Sequence, residues 1–234
     1  KALTTCAFTR KGYTFAGWAT SANGEVVYAN GQSVKNLTAT QGAVVDLYAK
    51  WTANPYTVKF DANGGNGTMA DGSFTYDAAN QMLASNAFVR KGYVFLGWAT
   101  SADGDVVYAN GAKVNNLVAS GAITLYAQWA PVSVKVYGFR QRFPWNNLVD
   151  VDCEVFGESG VTYQLNIQAM DAASGGMLTV TDVRLDGGAT TGNPVSVPNG
   201  RSRVIWNAAT DLQDGFRSER IKLRASLVFG DDAE

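Results

Sequence analysis

The 234-residue chain is 46% hydrophobic and 17% charged, and its formal net charge is −1. This balance excludes bulk electrostatic attraction to a polyanion, so nucleic acid is not an expected partner. The chain contains no histidine, which excludes Ser-His-Asp and Cys-His catalytic arrangements and histidine-based zinc sites.

A second exclusion concerns membranes. No apolar run approaches the roughly 18 residues that a spanning helix needs, so we expect no membrane insertion within this segment. No charged-then-apolar leader precedes Lys1, and the first residue is not methionine. We therefore expect the chain to be a piece of a longer protein, with any signal or anchor outside it.

The chain contains an internal repeat. The stretch RKGYTFAGW from Arg10 returns as RKGYVFLGW from Arg90, and ATSANGEVVYANG from Ala19 returns as ATSADGDVVYANG from Ala99. A repeated unit of about 75–80 residues is too long for a solenoid repeat and has the size of a small domain.

Positions that match between the copies predict the core. Matching polar residues such as Asn30 and Asn110 favour shared turn and capping chemistry over a shared binding site, and so do Lys11 and Lys91. The large matching pairs, which we expect to be buried, are Tyr13/Tyr93, Phe15/Phe95, Trp18/Trp98, Tyr28/Tyr108, Val34/Val114, Leu37/Leu117, Tyr48/Tyr126 and Trp51/Trp129.

The second copy is complete enough for its elements to be predicted in order. Apolar alternation indicates strands, Gly-Asn clusters indicate turns, and an alanine-rich run indicates a short helix. The predicted elements are a strand from Thr57 to Phe60, a turn from Asp61, a helix from Ala78 to Ser85, and strands from Tyr93 to Trp98, Val106 to Tyr108 and Ile123 to Trp129.

These motifs resemble a known family. YTVKFDANGG from Tyr56, then TMADGSFTYD, RKGYVFLGWATSADG and TLYAQW from Thr124 are similar to the Listeria-Bacteroides repeat, known from internalin B and other bacterial surface proteins. The resemblance covers the second copy fully and the first only from its predicted helix onward. It implies a small β-grasp-like sheet with one helix, and a role in stalks or interaction surfaces without catalytic residues.

The third module of the chain, from Val132 to about Phe229, has a different pattern. Residues 149–155, 163–169 and 221–227 alternate between apolar and polar side chains. This period of two predicts strands with one wet face, and thus an antiparallel sandwich of immunoglobulin or fibronectin type. With proline-bearing breaks near 52–55 and 130–131, the predicted domains are 1–54, 55–130 and 131–234, and the predicted fold class is mainly β.

Asp150, Asp152 and Glu154 are the strongest candidates for catalysis. Alternate residues of a strand lie about 6.5–7 Å apart, close to the separation of paired glycosidase carboxylates. The alternation instead favours an open, solvated sheet face, where Lys222 and Arg224 would pair with the acids across strands. We therefore predict that the chain is not an enzyme and has no cofactor or metal site.

Aromatic residues offer the remaining route to ligand binding. Phe143 and Trp145 flank Pro144 in a predicted loop, where a ring could stack on a ligand or plug the end of the sandwich. The two thiols, Cys6 and Cys153, lie in unrelated modules. We expect them to be small buried or half-buried side chains without a disulfide.

The first copy is shorter than the second. Lys1 aligns with Gln81, so the first copy lacks a counterpart of the strand that begins at Tyr56. Unpaired strand edges are adhesive, so we expect another strand to occupy this slot, either from residues upstream of Lys1 or from a second molecule by strand exchange.

These patterns together predict a non-catalytic spacer and adhesion scaffold of a larger bacterial protein, located at the cell surface or outside the cell. Its expected partner is an unidentified protein or glycan at the cell surface. A carbohydrate-binding accessory region of a larger secreted enzyme is the alternative, and a glycosidase is a further rival.

Overall fold

A computed structural model describes residues 1–143, 146–213, 216, 218 and 220–230. The chain forms two compact units, one made of Lys1–Phe88 with Leu96–Gln128, and one made of Val89–Phe95 with the residues from Trp129 onward. Among the described residues the regular elements are strands, apart from one helix of four residues, which confirms the mainly β prediction. The domain boundaries 1–54, 55–130 and 131–234 stay a prediction.

The first repeat contains one antiparallel strand pair. Its strands β1 and β2 pair from Tyr13 opposite Ala53 to Ala19 opposite Tyr48, with a bulge between Phe15 and Gly17. Among the described residues, β2 has no second neighbouring strand, as expected from the missing counterpart of the Tyr56 strand. The two strands are β1 (Tyr13–Ala19) and β2 (Tyr48–Ala53).

The second repeat has a larger sheet, in the order β4-β3-β8-β6, and a separate pair of β5 with β7. Strand β3 runs parallel to β8, from Tyr56 opposite Gly121 to Asp61 opposite Tyr126. The strands are β3 (Pro55–Asp61), β4 (Gly72–Thr75), β5 (Gln81–Met82), β6 (Tyr93–Ala99), β7 (Lys113–Val114) and β8 (Gly121–Pro131).

The helix predicted from Ala78 to Ser85 is wrong. Asp77 and Asn80 have φ values of 58° and 59°, a left-handed conformation that a right-handed helix does not tolerate. The Gln81 side chain bonds both the amide and the carbonyl of Thr75, at 2.6 and 2.9 Å, so a side-chain-closed turn leads directly into β5.

The strand predicted from Val106 to Tyr108 is also wrong, because the structure has only an isolated bridge between Tyr108 and Trp98. The amides of Val107 and Tyr108 both donate to the Trp98 carbonyl, at 2.8 and 3.0 Å. Two successive donors on one acceptor form a bulge rather than a ladder.

The matching residues are only partly core. Trp98 and Val114 are buried, as predicted, but Tyr48, Tyr93 and Leu37 each keep more than a third of their surface exposed. The matching Asn residues make equivalent structural bonds between distant segments: Asn30 accepts from the Cys6 amide at 2.8 Å, and Asn110 accepts from the Asn86 amide at 2.7 Å.

The last part of the chain is a sandwich of two antiparallel sheets. One sheet has the order β13-β15-β10-β9, and in the other β11 pairs with β12, β14 and β16. Inward residues of both sheets, including Val151, Ile167 and Trp206, form one buried cluster. The elements are β9 (Ser133–Gln141), β10 (Leu148–Phe156), β11 (Thr162–Asp171), β12 (Met177–Leu178), β13 (Val183–Leu185), β14 (Val195–Pro198), β15 (Gly200–Asn207), α1 (Ala208–Asp211) and β16 (Ile221–Val228).

The two sheets agree with the predicted antiparallel sandwich, and the likeness to immunoglobulin domains stays a prediction.

Candidate functional site

The two aromatic candidates differ in what the structure describes. Phe143 lies two residues after β9, and 78% of its surface is exposed. Trp145 lies outside the described residues. Phe143 is therefore at the surface, where it could reach a ligand and does not plug the sandwich.

A cavity of about 550 Å³ lies at the end of the sandwich that the last residues of β9 approach. Its lining mixes rings and polar groups, including Phe139, Arg140, Gln141, Trp206 and Phe216. Phe139 and Phe216 each expose about two fifths of their surface. A cavity lined by aromatic rings and a few polar side chains is typical of small-molecule sites.

Asp211, at the end of α1, holds the wall of this cavity in place. Its carboxylate accepts from the Trp206 indole N–H at 2.8 Å and from the Thr181 amide at 2.6 Å. Burial raises the pKa of Asp211, but the hydrogen bonds from Thr181, Asp182 and Trp206 outweigh it, so the pKa lies below its ordinary value. The charged carboxylate therefore fixes the Trp206 ring at neutral pH.

The acidic residues of β10 form an ion-pair ladder rather than an open solvated face. Asp150 lies 2.7 Å from Arg142, and Asp152 lies 2.7 Å from Arg203 and 3.1 Å from Arg140. Both Arg140 on β9 and Arg203 on β15 flank the central strand β10. Glu154 continues the ladder, accepting from Tyr137 and lying 3.6 Å from Arg201.

The predicted partners of these acids are wrong. Lys222 and Arg224 lie on β16, which pairs with β11 in the other sheet. The prediction of a solvated face is also wrong for Asp150, which is only 4% exposed. Hydrogen bonding from Arg203 lowers the pKa of Asp152, and this outweighs the effect of burial.

A clearer sequence signal for this ladder was present. Arg140 and Arg142, like Arg201 and Arg203, are two positions apart, the same spacing as the acids of β10. Basic residues at alternate positions on either side of a strand can pair with acidic residues at alternate positions on that strand. Because every acid of the ladder already contacts an arginine, the arrangement favours a structural role over proton transfer.

The cysteines are as expected from the sequence. Both are free, with Cys153 buried and Cys6 half-buried. Burial raises the pKa of Cys153 to about 11, and the neighbouring charge of Asp152 adds to the effect. Cys153 therefore remains a neutral thiol at physiological pH and is a poor nucleophile.

Among the described residues, no three His, Cys, Asp or Glu side chains lie close enough to hold a metal ion. No helix in the described ranges is long and apolar enough to cross a bilayer.

Comparison with known proteins supports the resemblance noted from the motifs. The family model of the Listeria-Bacteroides repeat domain matches residues 1–50 and 56–128. A "Putative Gly-rich membrane protein" of Evansella cellulosilytica is 32% identical over 123 residues, covering 51% of this chain and 14% of that protein. A "Putative membrane protein" of the same organism is 33% identical over 93 residues, covering 38% of this chain and 14% of that protein.

The chain therefore spans about one seventh of the length of these two relatives. No solved structure matches the chain significantly.

Proposed function

The chain belongs to the Listeria-Bacteroides repeat family, and from this premise we propose that it is a non-catalytic spacer and adhesion scaffold in a larger bacterial surface or secreted protein. In this proposal the repeats set a distance and an orientation, and a protein or glycan at the cell surface is the partner. The names of the two relatives, both described as membrane proteins, support a location at the cell envelope.

One observation carries the spacer proposal, namely the way in which the repeats are joined. A single residue, Asn54, separates β2 from β3. Its amide donates to the Gly12 carbonyl at 2.9 Å, and its own carbonyl accepts from the Tyr76 amide at 2.9 Å. The backbone of the linker is thus bonded to the first repeat on one side and to the second on the other.

The side chain of Asn54 strengthens this connection. Its Oδ1 accepts from the Thr14 hydroxyl at 2.6 Å, and its Nδ2 donates to the Ala119 carbonyl at 3.2 Å. A linker that satisfies its polar groups on both neighbours has little freedom to rotate, whereas a Gly-Ser linker behaves as a flexible coil. A spacer requires this kind of stiffness.

Single-molecule energy transfer tests the spacer proposal. Dyes would be attached through cysteines introduced at the exposed positions Val44 and Val107, with both native cysteines replaced by serine. We expect one narrow distance distribution, and a broad one when about ten Gly and Ser residues are inserted after Asn54. Equally broad distributions in both chains would contradict the proposal.

The exposure of Phe143 favours carbohydrate binding as the second candidate function. An exposed aromatic ring can stack on the face of a sugar. A glycan array probed with the full chain and with Phe143→Ala separates the two candidates. Binding that disappears in the variant would favour the carbohydrate-binding region, and no binding by either protein would favour the spacer.

We also propose that the segment has no hydrolytic activity, which is supported by the ion pairing of Asp150 and Asp152. The full chain would be incubated with panels of glycoside, ester and peptide substrates. Turnover that is abolished by Asp150→Asn or Asp152→Asn would show that this proposal is wrong.

A further inference from the structure

The sequence Arg-Lys-Gly-Tyr occurs at residues 10–13 and again at residues 90–93, and both copies form the same turn. The tyrosine amide bonds the arginine carbonyl, at 3.1 Å in the first copy and 3.0 Å in the second. The glycines have φ values of +78° and +74°. Each arginine guanidinium lies over the tyrosine ring, at 3.7 and 3.9 Å from the ring centroid.

In the first copy, a ring of the next repeat sits directly on the turn. A Cβ added to Gly12 would lie 2.3–2.4 Å from three ring carbons of Tyr76. No side chain fits in that space, so Tyr76 requires a glycine at this position in addition to the left-handed backbone. The Tyr13 and Tyr76 rings meet edge to face at 5.9 Å.

The residue after Tyr76 completes the contact. Asp77 accepts a hydrogen bond from the Tyr13 hydroxyl at 2.8 Å. Asn116 holds Asp77 with two further bonds: the Asp77 backbone amide donates to Asn116 Oδ1, and the Asp77 carboxylate accepts from Asn116 Nδ2. The second repeat therefore presents a ring and an acceptor to the turn of the first.

A second example occurs within the other compact unit, which contains residues 89–95. There a Cβ added to Gly92 would lie 3.5–3.7 Å from the ring of Phe229, just after β16. The Val132 amide donates to the Gly92 carbonyl at 2.8 Å. This bond is equivalent to the 2.9 Å bond from Asn54 to Gly12, because Asn54 and Val132 both follow the last strand of a repeat by one residue.

We infer that the Arg-Lys-Gly-Tyr turn is a docking site for an aromatic ring of the module that follows it, and that this ring locks the linker residue against the turn. Tyr76 and Phe229 come from unrelated sequence, one inside a repeat and one at the end of the sandwich strand β16. In both cases the ring lies against a glycine of the turn, and the carbonyl of that glycine accepts a hydrogen bond from the linker amide. The partner of the turn is thus a phenylalanine or tyrosine ring, whatever the fold that carries it.

Docking of a ring also explains why the turn has the same sequence in both copies. Glycine supplies the conformation and the empty space, tyrosine supplies the second ring, and arginine covers the outer face of that ring. It is independent of the proposed spacer function, since docking could equally orient a ligand-binding module.

Amide hydrogen exchange of the full chain, followed by NMR, tests the inference at the two linker amides. Removing the ring in Tyr76→Ala should accelerate exchange at Asn54 by about tenfold or more, because the docked state is lost. Exchange at Val132 should not change. Phe229→Ala should accelerate exchange at Val132 and leave exchange at Asn54 unchanged, so each variant is a control for the other.

Exchange at the amides that pair β3 with β8 reports whether the repeat stays folded. If Tyr76→Ala unfolds it, Tyr76→Leu takes its place, because leucine keeps the apolar bulk and removes the flat face. Unchanged exchange at Asn54 in a folded Tyr76 variant would overturn the inference.

The two glycines provide a matched test. Gly12→Ala and Gly92→Ala introduce similar backbone strain, but only the first forces its Cβ into the ring. We expect Gly12→Ala to accelerate Asn54 exchange several-fold more than Gly92→Ala accelerates Val132 exchange. Equal accelerations would assign the whole effect to backbone strain and would overturn the docking of Tyr76 on Gly12.

Discussion

The two repeats share most of their sequence but differ in how deeply it is buried. Trp98 in the second repeat is completely buried, whereas its counterpart Trp18 is only partly buried. Leu125 is also completely buried, and its counterpart Leu47 is not. Identical local sequence therefore determines the turns and the short strand pairs, while burial depends on strands supplied from elsewhere in the chain.

The strand that makes the difference is β3. It pairs with the first half of β8 and brings Phe60 to 4.8 Å from Trp98. A second ring contact of this tryptophan is the same in both copies, with Phe88–Trp98 and Phe8–Trp18 each at 6.2 Å. The first repeat thus keeps the local contact and lacks the one from β3.

The absence of a β3 counterpart also shortens the neighbouring strand. In the second repeat β8 begins at Gly121, but the aligned residues 43–47 are outside any strand and β2 begins only at Tyr48. Val44, in this segment, is 87% exposed. An exposed apolar segment that leads into a strand with a free edge is a site for association with another strand.

Truncating the two tryptophans should show the largest difference between the repeats. We expect Trp98→Ala to destabilise its repeat by about 3–5 kcal/mol, since it empties a fully packed site. Trp18→Ala should cost clearly less because its ring is partly hydrated already. Chemical denaturation of both variants measures the free energies of unfolding, and equal losses would mean that β3 does not set the burial.

A smaller difference is expected at the leucines. Leu125→Ala should cost about 3 kcal/mol, and Leu47→Ala should cost less than half of that, because only Leu125 is on a strand paired with β3. The measurement is again denaturant unfolding, with the exposed Val44→Ala as a control that should change little. A Leu47→Ala loss as large as that of Leu125→Ala would indicate a closed core in the first repeat.

The sequence was sufficient for features that depend on local periodicity. It predicted the strands that contain Thr57–Phe60 and Tyr93–Trp98, and the alternating strands of the sandwich. These succeed because a strand's two-residue period appears directly in its own residues.

The errors arose where a few backbone angles or long-range pairing decide the outcome. The alanine-rich segment from Ala78 favours a helix by propensity, but the left-handed conformations of Asp77 and Asn80 turn the chain away from a helix. The partners of Asp150 depended on which strands flank β10, and periodicity does not encode strand order. The ring contacts at Gly12 and Gly92 were missed for the same reason.

Supplying the missing strand should make the first repeat resemble the second. A copy of residues 55–80 placed before Lys1 would provide a counterpart of β3 beside residues 43–47. We expect it to stabilise the first repeat by about 2 kcal/mol, roughly the gain from covering one exposed valine. Unfolding measurements and amide exchange at residues 43–47 would detect the change.

The same chain tests the predicted self-association. If the open edge recruits a second molecule, sedimentation should show a concentration-dependent dimer of the original chain that the added strand suppresses. A first repeat that is equally stable and monomeric with and without the added strand would contradict the open slot.

The smallest expected effect is a pH dependence that distinguishes the two docking turns. Hydrogen bonds from Asn116 and Tyr13 lower the pKa of Asp77 below the ordinary value of 3.8. A lowered pKa means that the folded state favours the charged form, so this contribution is present above about pH 4 and is lost as the pH falls through the lowered value. The same hydrogen bond with Asp77 raises the pKa of Tyr13 above 10.0. The stabilisation by this bond is therefore also lost at high pH, as the pH rises through the raised pKa of Tyr13.

In the second turn the residue that follows the docked ring of Phe229 is Gly230, where the first turn has Asp77 after Tyr76. Tyr13→Phe should therefore reduce the thermal midpoint slightly at pH 7, and the reduction should shrink as the pH falls through the lowered pKa of Asp77, because protonation of the carboxylate weakens the bond. Tyr93→Phe, the matched control, should show no such pH dependence. Equal pH profiles for the two variants would mean that Asp77 does not distinguish the turns, and that the ring contact alone is responsible for docking in both.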